Sequence, residues 1–211
     1  MATDELRRTR ERELVAATRA LFDERGMQDA PIEEIARAVG IARGLVYRHF
    51  SSKEELFVLT VTDYLGELAG ALTESTDDAG DPVAKLEACT RAYARFCLRY
   101  PAFLDSALSL MRRPARDLHA MVSESIWLRL GQGMAACTEP LARALRDAGH
   151  ADPDFAANVL WTQTLGAMHL ARIRVGLRED APGVPGLFPV DPDRVVEACV
   201  AGALAAIGVR G

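Results

Sequence analysis

The stretch from Pro31 to Phe57, PIEEIARAVGIARGLVYRHFSSKEELF, constrains this chain more than any other part of it. Ile32, Ile35, Ala36 and Val39 recur at helical spacing, which predicts a short amphipathic helix. Gly40 follows at once, and a glycine there can take the left-handed conformation that ends a helix and turns the chain. Ile41 is expected to act as a buried pin in that turn. Leu45, Val46, Tyr47 and Phe50 fall on a second short helix. Ser52-x-x-Glu55 reads as a capping box that opens a third. Between Val39 and Lys53 the ionised residues are Arg43, Arg48 and Lys53, with His49 beside them and no acid. This is a local basic edge on a chain whose net charge is −5. Helix, glycine turn, basic helix is the layout of a helix-turn-helix, whose second helix suits the DNA major groove.

Leu14, Ala17, Leu21, Phe22 and Gly26, then Ile35, Ala36, Gly40, Gly44, Tyr47, His49, Phe50, Lys53, Glu54 and Leu56, form a spaced set that closely resembles the DNA-binding motif of the TetR family of transcriptional repressors. The resemblance covers roughly the first quarter of the chain and is specific as a set rather than residue by residue. It implies an all-α protein. A three-helix DNA-binding domain would occupy residues 1–50, a connecting helix 51–73, and a ligand-binding and dimerisation domain 74–211. The implied function is that of a homodimeric, cytoplasmic transcriptional regulator, a repressor released from a palindromic operator by a small, largely apolar effector. No catalysis, cofactor, metal or membrane partner is expected. The alternative is an α-helical adaptor whose basic hairpin binds an acidic protein, without a DNA or ligand role.

Arg43, Gly44, Leu45, Tyr47, His49 and Lys53 make up the candidate DNA-reading surface. Arginine pairs with the guanine edge through two hydrogen bonds, so Arg43 is the candidate base reader. Gly44 permits close backbone approach, and Leu45 either meets a thymine methyl or packs inward. Tyr47, His49 and Lys53 are placed against phosphates. Arg7, Arg8, Arg10 and Arg12, at the start of the first helix, are read either as flanking phosphate contacts or as a solvated helix end. The chain departs from the family at Pro31 and Leu45, where threonine is usual, and at Ala42, where serine is usual. With Pro31 unable to cap through a hydroxyl, Asp29 is the substitute cap.

The rest of the chain predicts helices and little else. At 211 residues and 49% hydrophobic it can bury a substantial core, and no apolar run reaches bilayer-spanning length. Its start, MATDELRRTRER, has no apolar signal-peptide core. Cys89, Cys97, Cys137 and Cys199 are too scattered for a metal or redox motif and read as buried thiols. Asp81-Pro82, Asp152-Pro153 and Asp191-Pro192 each place a capping carboxylate before a proline at the first helical position. Pro140 is expected to kink or interrupt a long helical stretch over 115–148, and residues 179–190, EDAPGVPGLFPV, read as a loop. Phe103, Leu110, Met111, Met121, Trp127, Trp161 and His169 are the candidate effector contacts, as large, adaptable apolar side chains with one polar group. Phe155, Val159, Thr162, Gly166, Val196, Cys199 and Ala203, on the last two helices, are the candidate dimer contacts, a mode that the resemblance also implies. Asp105, Ser106, Ser109 and His119 hint at a hydrolytic triad, but no GxSxG elbow accompanies them.

Overall fold

A computed structural model describes residues 2–26 and 30–208. Among the described residues there are ten helices and two strands: α1 (Ala2–Arg25), α2 (Ile32–Ala38), α3 (Arg43–Val46), α4 (Lys53–Asp77), α5 (Pro82–Arg99), α6 (Pro101–Met111), α7 (Ala115–His119), α8 (Glu124–Asp147), α9 (Pro153–Ile173), β1 (Val175–Ala181), β2 (Val184–Pro189) and α10 (Pro192–Ala206). The fold is all-α with one small hairpin. The chain forms two compact units, one of residues 1–66 with 101–134 and one of residues 67–100 with 135–211.

In the first unit, Leu14 and Phe22 of α1, Ile35 and Ala36 of α2, Val46 of α3, Phe50, and Leu56 and Leu59 of α4 are all buried. Tyr64 and Phe103 extend this core, with ring centroids 5.9 Å apart. The Tyr64 hydroxyl donates to Asp23 Oδ1 at 2.6 Å, so the buried ring keeps a partner for its polar end.

In the second unit α5, α9 and α10 pack on one another. Leu86, Tyr93, Cys97, Leu165, Met168, Val196 and Val200 fill the space between them. The Tyr93 ring stacks on Trp161 at 4.1 Å. All four cysteines are free and buried. Burial pushes the Cys89 and Cys137 thiols up to about 12, so they stay protonated and unreactive at neutral pH.

The three Asp-Pro helix starts behave as the sequence predicts. Asp81 accepts from Ala84 N–H at 2.9 Å, Asp152 from Phe155 N–H at 3.2 Å and Asp191 from Asp193 N–H at 3.0 Å. Each such cap contributes about 1 kcal/mol.

Three local expectations are corrected. First, no interruption falls at Pro140, which lies inside α8, and the break in the 115–148 stretch falls at residues 120–123 instead. Ala136, whose carbonyl loses its usual donor to the proline, is exposed, where water can satisfy it. At the actual break the Ser123 N–H is taken by Glu55 Oε1 at 2.8 Å, so it is not available to prolong α7.

Second, the segment read as a loop is an antiparallel hairpin, β1 with β2, closed by Pro182-Gly183 with Gly183 at φ 77°. Arg174, left-handed at φ 56°, turns the chain out of α9 into β1. The hairpin escaped a periodicity reading because both strands are mostly exposed and a register irregularity lies between Glu179 and Ala181. A Cβ on Gly176 or Gly186 would meet the Phe188 ring or the Asp180 carboxylate, so a larger residue at either position requires that side chain to move.

Third, α4 is 25 residues long with a mean hydropathy of 1.3 over its most apolar window, long and apolar enough to cross a bilayer by those measures alone. Half of that window is buried inside the protein, and Asp63 and Glu67 lie along the helix.

Candidate nucleic-acid interface

The turn between α2 and α3 is held by backbone geometry. Gly40 N–H donates to Arg37 O at 3.1 Å, and Ile41 N–H reaches back to Ala36 O at 2.9 Å. This pair of bonds closes a Schellman motif, with Gly40 in the left-handed position at φ 71°. A Cβ on Gly40 would touch nothing within 4 Å, so only the backbone demands a glycine. Gly40→Ala is therefore expected to cost about 1–2 kcal/mol in chemical denaturation, with no loss of packing. Ile41 is half-buried rather than fully buried.

The second helix is shorter than its apolar spacing suggests. α3 spans Arg43–Val46, and Tyr47–His49 continue as a turn. Val46 and Phe50 face the core. Their burial leaves the intervening side chains pointing out: Arg43, Gly44, Tyr47 and Arg48 are exposed, and Leu45 is 39% exposed. Leu45 thus belongs to the outer surface, which resolves the inward or outward choice left by the sequence. Lys53, at the start of α4, is exposed as well.

Among the described residues neither helix start of the motif has a side-chain cap at its N-cap position. Pro31 and Ala42 are the N-cap residues of α2 and α3, and both are extended without a cap hydrogen bond. Asp29, the expected substitute cap, lies outside the described residues. The departures from the usual hydroxyl residues therefore leave Pro31 and Ala42 without a capping side chain of their own.

His49 differs from the other members of the set. Its ring is half-buried, and Nδ1 is fully buried with no hydrogen-bond partner among the described residues. Burial, together with the charges of Arg7, Arg10 and Arg48, holds it below the usual histidine value, outweighing the opposing pull of Glu11. The ring is therefore neutral at pH 7, and Nε2 is the nitrogen left to donate outward. The influence of Arg7 and Arg10 puts the start of α1 next to the motif. Arg10 Nη1 also reaches Val39 O, at 3.5 Å, and pairs with Glu13 at 2.8 Å.

Sequence reasoning missed one residue of this surface. Arg43 Nη1 lies 2.8 Å from Glu33 Oε1, so the candidate base reader is ion-paired to the first turn of α2. No spacing rule links positions 33 and 43, because the tight turn alone brings them together. Both side chains are exposed, and such pairs contribute only about 0–1 kcal/mol, so the arginine can be exchanged to another acceptor.

The other candidate sets scatter. Of the seven candidate effector residues, Phe103, Leu110, Met111, Met121 and Trp127 belong to the first unit, and Trp161 and His169 to the second. Phe103 packs on Tyr64, Met111 is exposed, and Trp127 lies beside His119. Trp161 is stacked on Tyr93, and His169 is exposed. Of the candidate dimer residues, Phe155, Thr162 and Gly166 are exposed on α9 and Val159 is half-buried. Val196, Cys199 and Ala203 are buried inside the subunit. These three are a correction. α10 is apolar nearly all round, so its sequence does not distinguish its core face from its outer one, and the outer one carries Ala198, Ala201, Gly202 and Ala205. The triad hint also dissolves, since His119 pairs with Glu124 at 2.7 Å while Ser106 Oγ is buried without a partner. No cluster of three or more His, Cys, Asp or Glu fit to hold a metal occurs among the described residues.

Comparison with known proteins agrees with this geometry. Residues 14–59 match the family model described as bacterial regulatory proteins, tetR family. The HTH-type transcriptional repressor KstR2 of Mycolicibacterium smegmatis is 33% identical over 78 residues, which are 37% of this chain and 38% of that relative. The HTH-type transcriptional regulator BetI of Stenotrophomonas maltophilia is 36% identical over 72 residues, 34% of this chain and 37% of that one. The chain thus spans less than half the length of the relatives it matches, and these relatives are regulators rather than enzymes. Among solved structures, a tetR-family regulatory protein from Rhodococcus RHA1 superposes with a TM-score of 0.66 at 16% identity, covering 95% of this chain and 98% of that one. The fatty acid degradation regulator FadR of Bacillus halodurans does so with a TM-score of 0.63 at 15% identity, covering 94% and 98%. At these identities the likeness is one of fold.

Proposed function

We propose, from the premise that this chain belongs through its N-terminal domain to the TetR family of bacterial regulatory proteins, that it is a homodimeric, cytoplasmic repressor that leaves a palindromic operator when a small, largely apolar effector binds. The observation that carries the reading is the outward set Arg43, Gly44, Leu45, Tyr47 and Lys53, fixed by the burial of Val46 and Phe50. Arg43 reads a base. Tyr47, Lys53 and neutral His49 hold phosphates, and Arg7 and Arg10 add flanking charge. We assign DNA contact to residues 1–50, connection to 51–73, and dimerisation with effector response to 74–211.

Self-association is supported by the second unit. α9 exposes Phe155 (68%) and Ile173 (52%) on a stripe with Thr162 and Gly166, while α10 exposes Ala198, Ala201, Gly202 and Ala205 beyond the charged residues Asp193, Arg194 and Glu197 of its first turns. Small residues on one helix and large ones on its neighbour suit close packing against a second copy. In such a dimer two α3 helices would reach successive major grooves, about 34–36 Å apart.

The test is selection of duplexes from a randomised pool by the purified chain, followed by affinity measured against salt, with oligomeric state measured in parallel. A symmetric selected site, a dimer in solution, and affinity falling steeply with rising salt are expected. A monomer at micromolar concentration, or no selected sequence, would overturn the reading.

A further inference from the structure

A cavity of about 270 Å³ opens in the first unit beside the helix-turn-helix. Its wall is apolar: Phe22 of α1, Ile32 and Ile35 of α2, Leu56 and Phe57 of α4, and Leu110 of α6. The Phe22 and Phe57 rings lie 6.1 Å apart and tilted at 49°, an arrangement into which a third aromatic ring can be packed by edge and face. The volume falls just under the ~300–1,000 Å³ typical of drug-sized sites, which suits one ring with a short side chain.

The polar part of the lining is unbalanced. Lys53, Glu54 and Arg113 all line the cavity, giving two cations to one carboxylate. Among the described residues neither Lys53 nor Arg113 has a carboxylate within ion-pair distance. Arg113 Nη1 donates only to the Met121 sulfur, at 3.1 Å, and a thioether is a weak acceptor. In the same unit Arg19 pairs with Asp63 and Arg129 with Glu11, so acids are within reach of some of its arginines but not of this one. An apolar hole with an uncompensated guanidinium at its edge is complementary to a molecule with an apolar body and an anionic end. The planar fork of arginine matches a carboxylate in particular.

We propose that this cavity is an effector site for a small aromatic carboxylate, with its ring among Phe22, Phe57 and Leu110 and its carboxylate on Arg113 and Lys53. This rests on the reading of the chain as a ligand-responsive DNA binder; it adds an anionic end to the largely apolar effector, and it moves the site from within 74–211 to where Ser109, Leu110, Arg113 and Leu118 of that region meet residues 18–57. The coupling follows from shared parts. Lys53 is one of the proposed phosphate contacts, so a carboxylate that engages it competes with DNA for the same charge. Ile32 and Ile35 belong to α2, which packs on α3, so a ring that fills the cavity bears on the support of the reading helix. Ligand then weakens DNA binding, and by linkage DNA weakens ligand binding by the same factor.

The probe is 3-phenylpropionate, compared with its uncharged counterpart 3-phenylpropanol by titration calorimetry on the full chain. The acid is expected to bind about tenfold tighter than the alcohol, the margin of one charged hydrogen-bonded contact. Arg113→Gln, an exposed position outside the DNA-contacting set, should abolish that margin and leave affinity for the selected duplex unchanged without the acid. Saturating acid should lower the wild-type affinity for that duplex several-fold. Equal binding of acid and alcohol overturns the proposal, as does acid binding indifferent to Arg113→Gln. If the chain selects and binds a duplex but takes no acid, the cavity proposal fails and the repressor reading stands. If the acid binds through Arg113 but no duplex is selected, the site stands and the repressor reading falls.

Discussion

On the proposed reading as a dimeric operator binder, Arg43→Ala is expected to lower operator affinity by about 1–3 kcal/mol per half-site, or roughly 2–6 kcal/mol for a dimer that loses both copies. The reasoning begins with the backbone. Gly40 turns the chain, Val46 and Phe50 lock α3 onto the core, and the first residue of α3 is left projecting outward. A guanidinium there can meet guanine O6 and N7 together. In the free protein it is occupied by Glu33 at 2.8 Å, so binding DNA exchanges one acceptor for another. The exchange costs little, because the pair is solvated on both sides. Two further results separate base readout from simple charge. The slope of affinity against salt should barely change in Arg43→Ala, since phosphate contacts set that slope, whereas Lys53→Ala should reduce it. Base preference should relax at one position of each half-site. Glu33→Gln should raise affinity in the presence of Arg43 and do less in its absence, a coupling that a double-mutant cycle measures. Unchanged affinity and unchanged preference in Arg43→Ala would remove it from the readout.

Much of this molecule was legible before its structure because its signals are local. Three Asp-Pro dipeptides marked three helix starts, since cap and first turn are set by adjacent residues. Gly40 marked the turn for the same reason. What stayed hidden depends on which distant parts come together. Position 55 showed its capping partnership with Ser52 in the sequence pattern, but not that its carboxylate takes the Ser51 N–H, nor its bond to Ser123, 68 positions away. That bond lies at the break between α7 and α8, well away from Pro140. The outer face of α10 was hidden because alanine, valine and glycine suit a core and a close-packed surface equally, so only α5 and α9 decide which side is which. The hairpin of β1 and β2 was hidden because exposed strands need no alternation of apolar and polar residues. At the candidate interface the sequence identified outward residues by type, while the neutral state of His49 and the Glu33 tether of Arg43 required geometry.

Glu55→Gln destabilises the first unit by about 2–4 kcal/mol at neutral pH, and the loss shrinks as the solution is acidified. Glu55 is only 4% exposed. Its Oε2 accepts from Ser51 N–H at 2.7 Å and its Oε1 from Ser123 N–H at 2.8 Å, while Ser52 Oγ caps its own N–H at 3.1 Å. One carboxylate thus joins the end of the helix-turn-helix to the turn before α8. An amide keeps the shape but offers a single acceptor, so one N–H would face an NH₂ group and stay unsatisfied. Hydrogen bonds to a charged group are worth about 1.5–3 kcal/mol, and an orphaned buried donor costs about 1–3 kcal/mol. Burial works against the charged carboxylate, but the N–H groups of Ser51 and Ser123 outweigh it and hold its pKa below the ordinary 4.5. The sign follows from that direction. A depressed folded pKa gives stability that is complete above the unfolded value and is lost as pH falls through the folded one. The wild-type chain should therefore lose stability below about pH 4.5 from this group, and Glu55→Gln should lack that component. Their unfolding free energies, compared by urea titration, should lie furthest apart at neutral pH and converge in acid. A gap that stayed constant with pH would mean that the lost stability comes from packing and not from the carboxylate's charge.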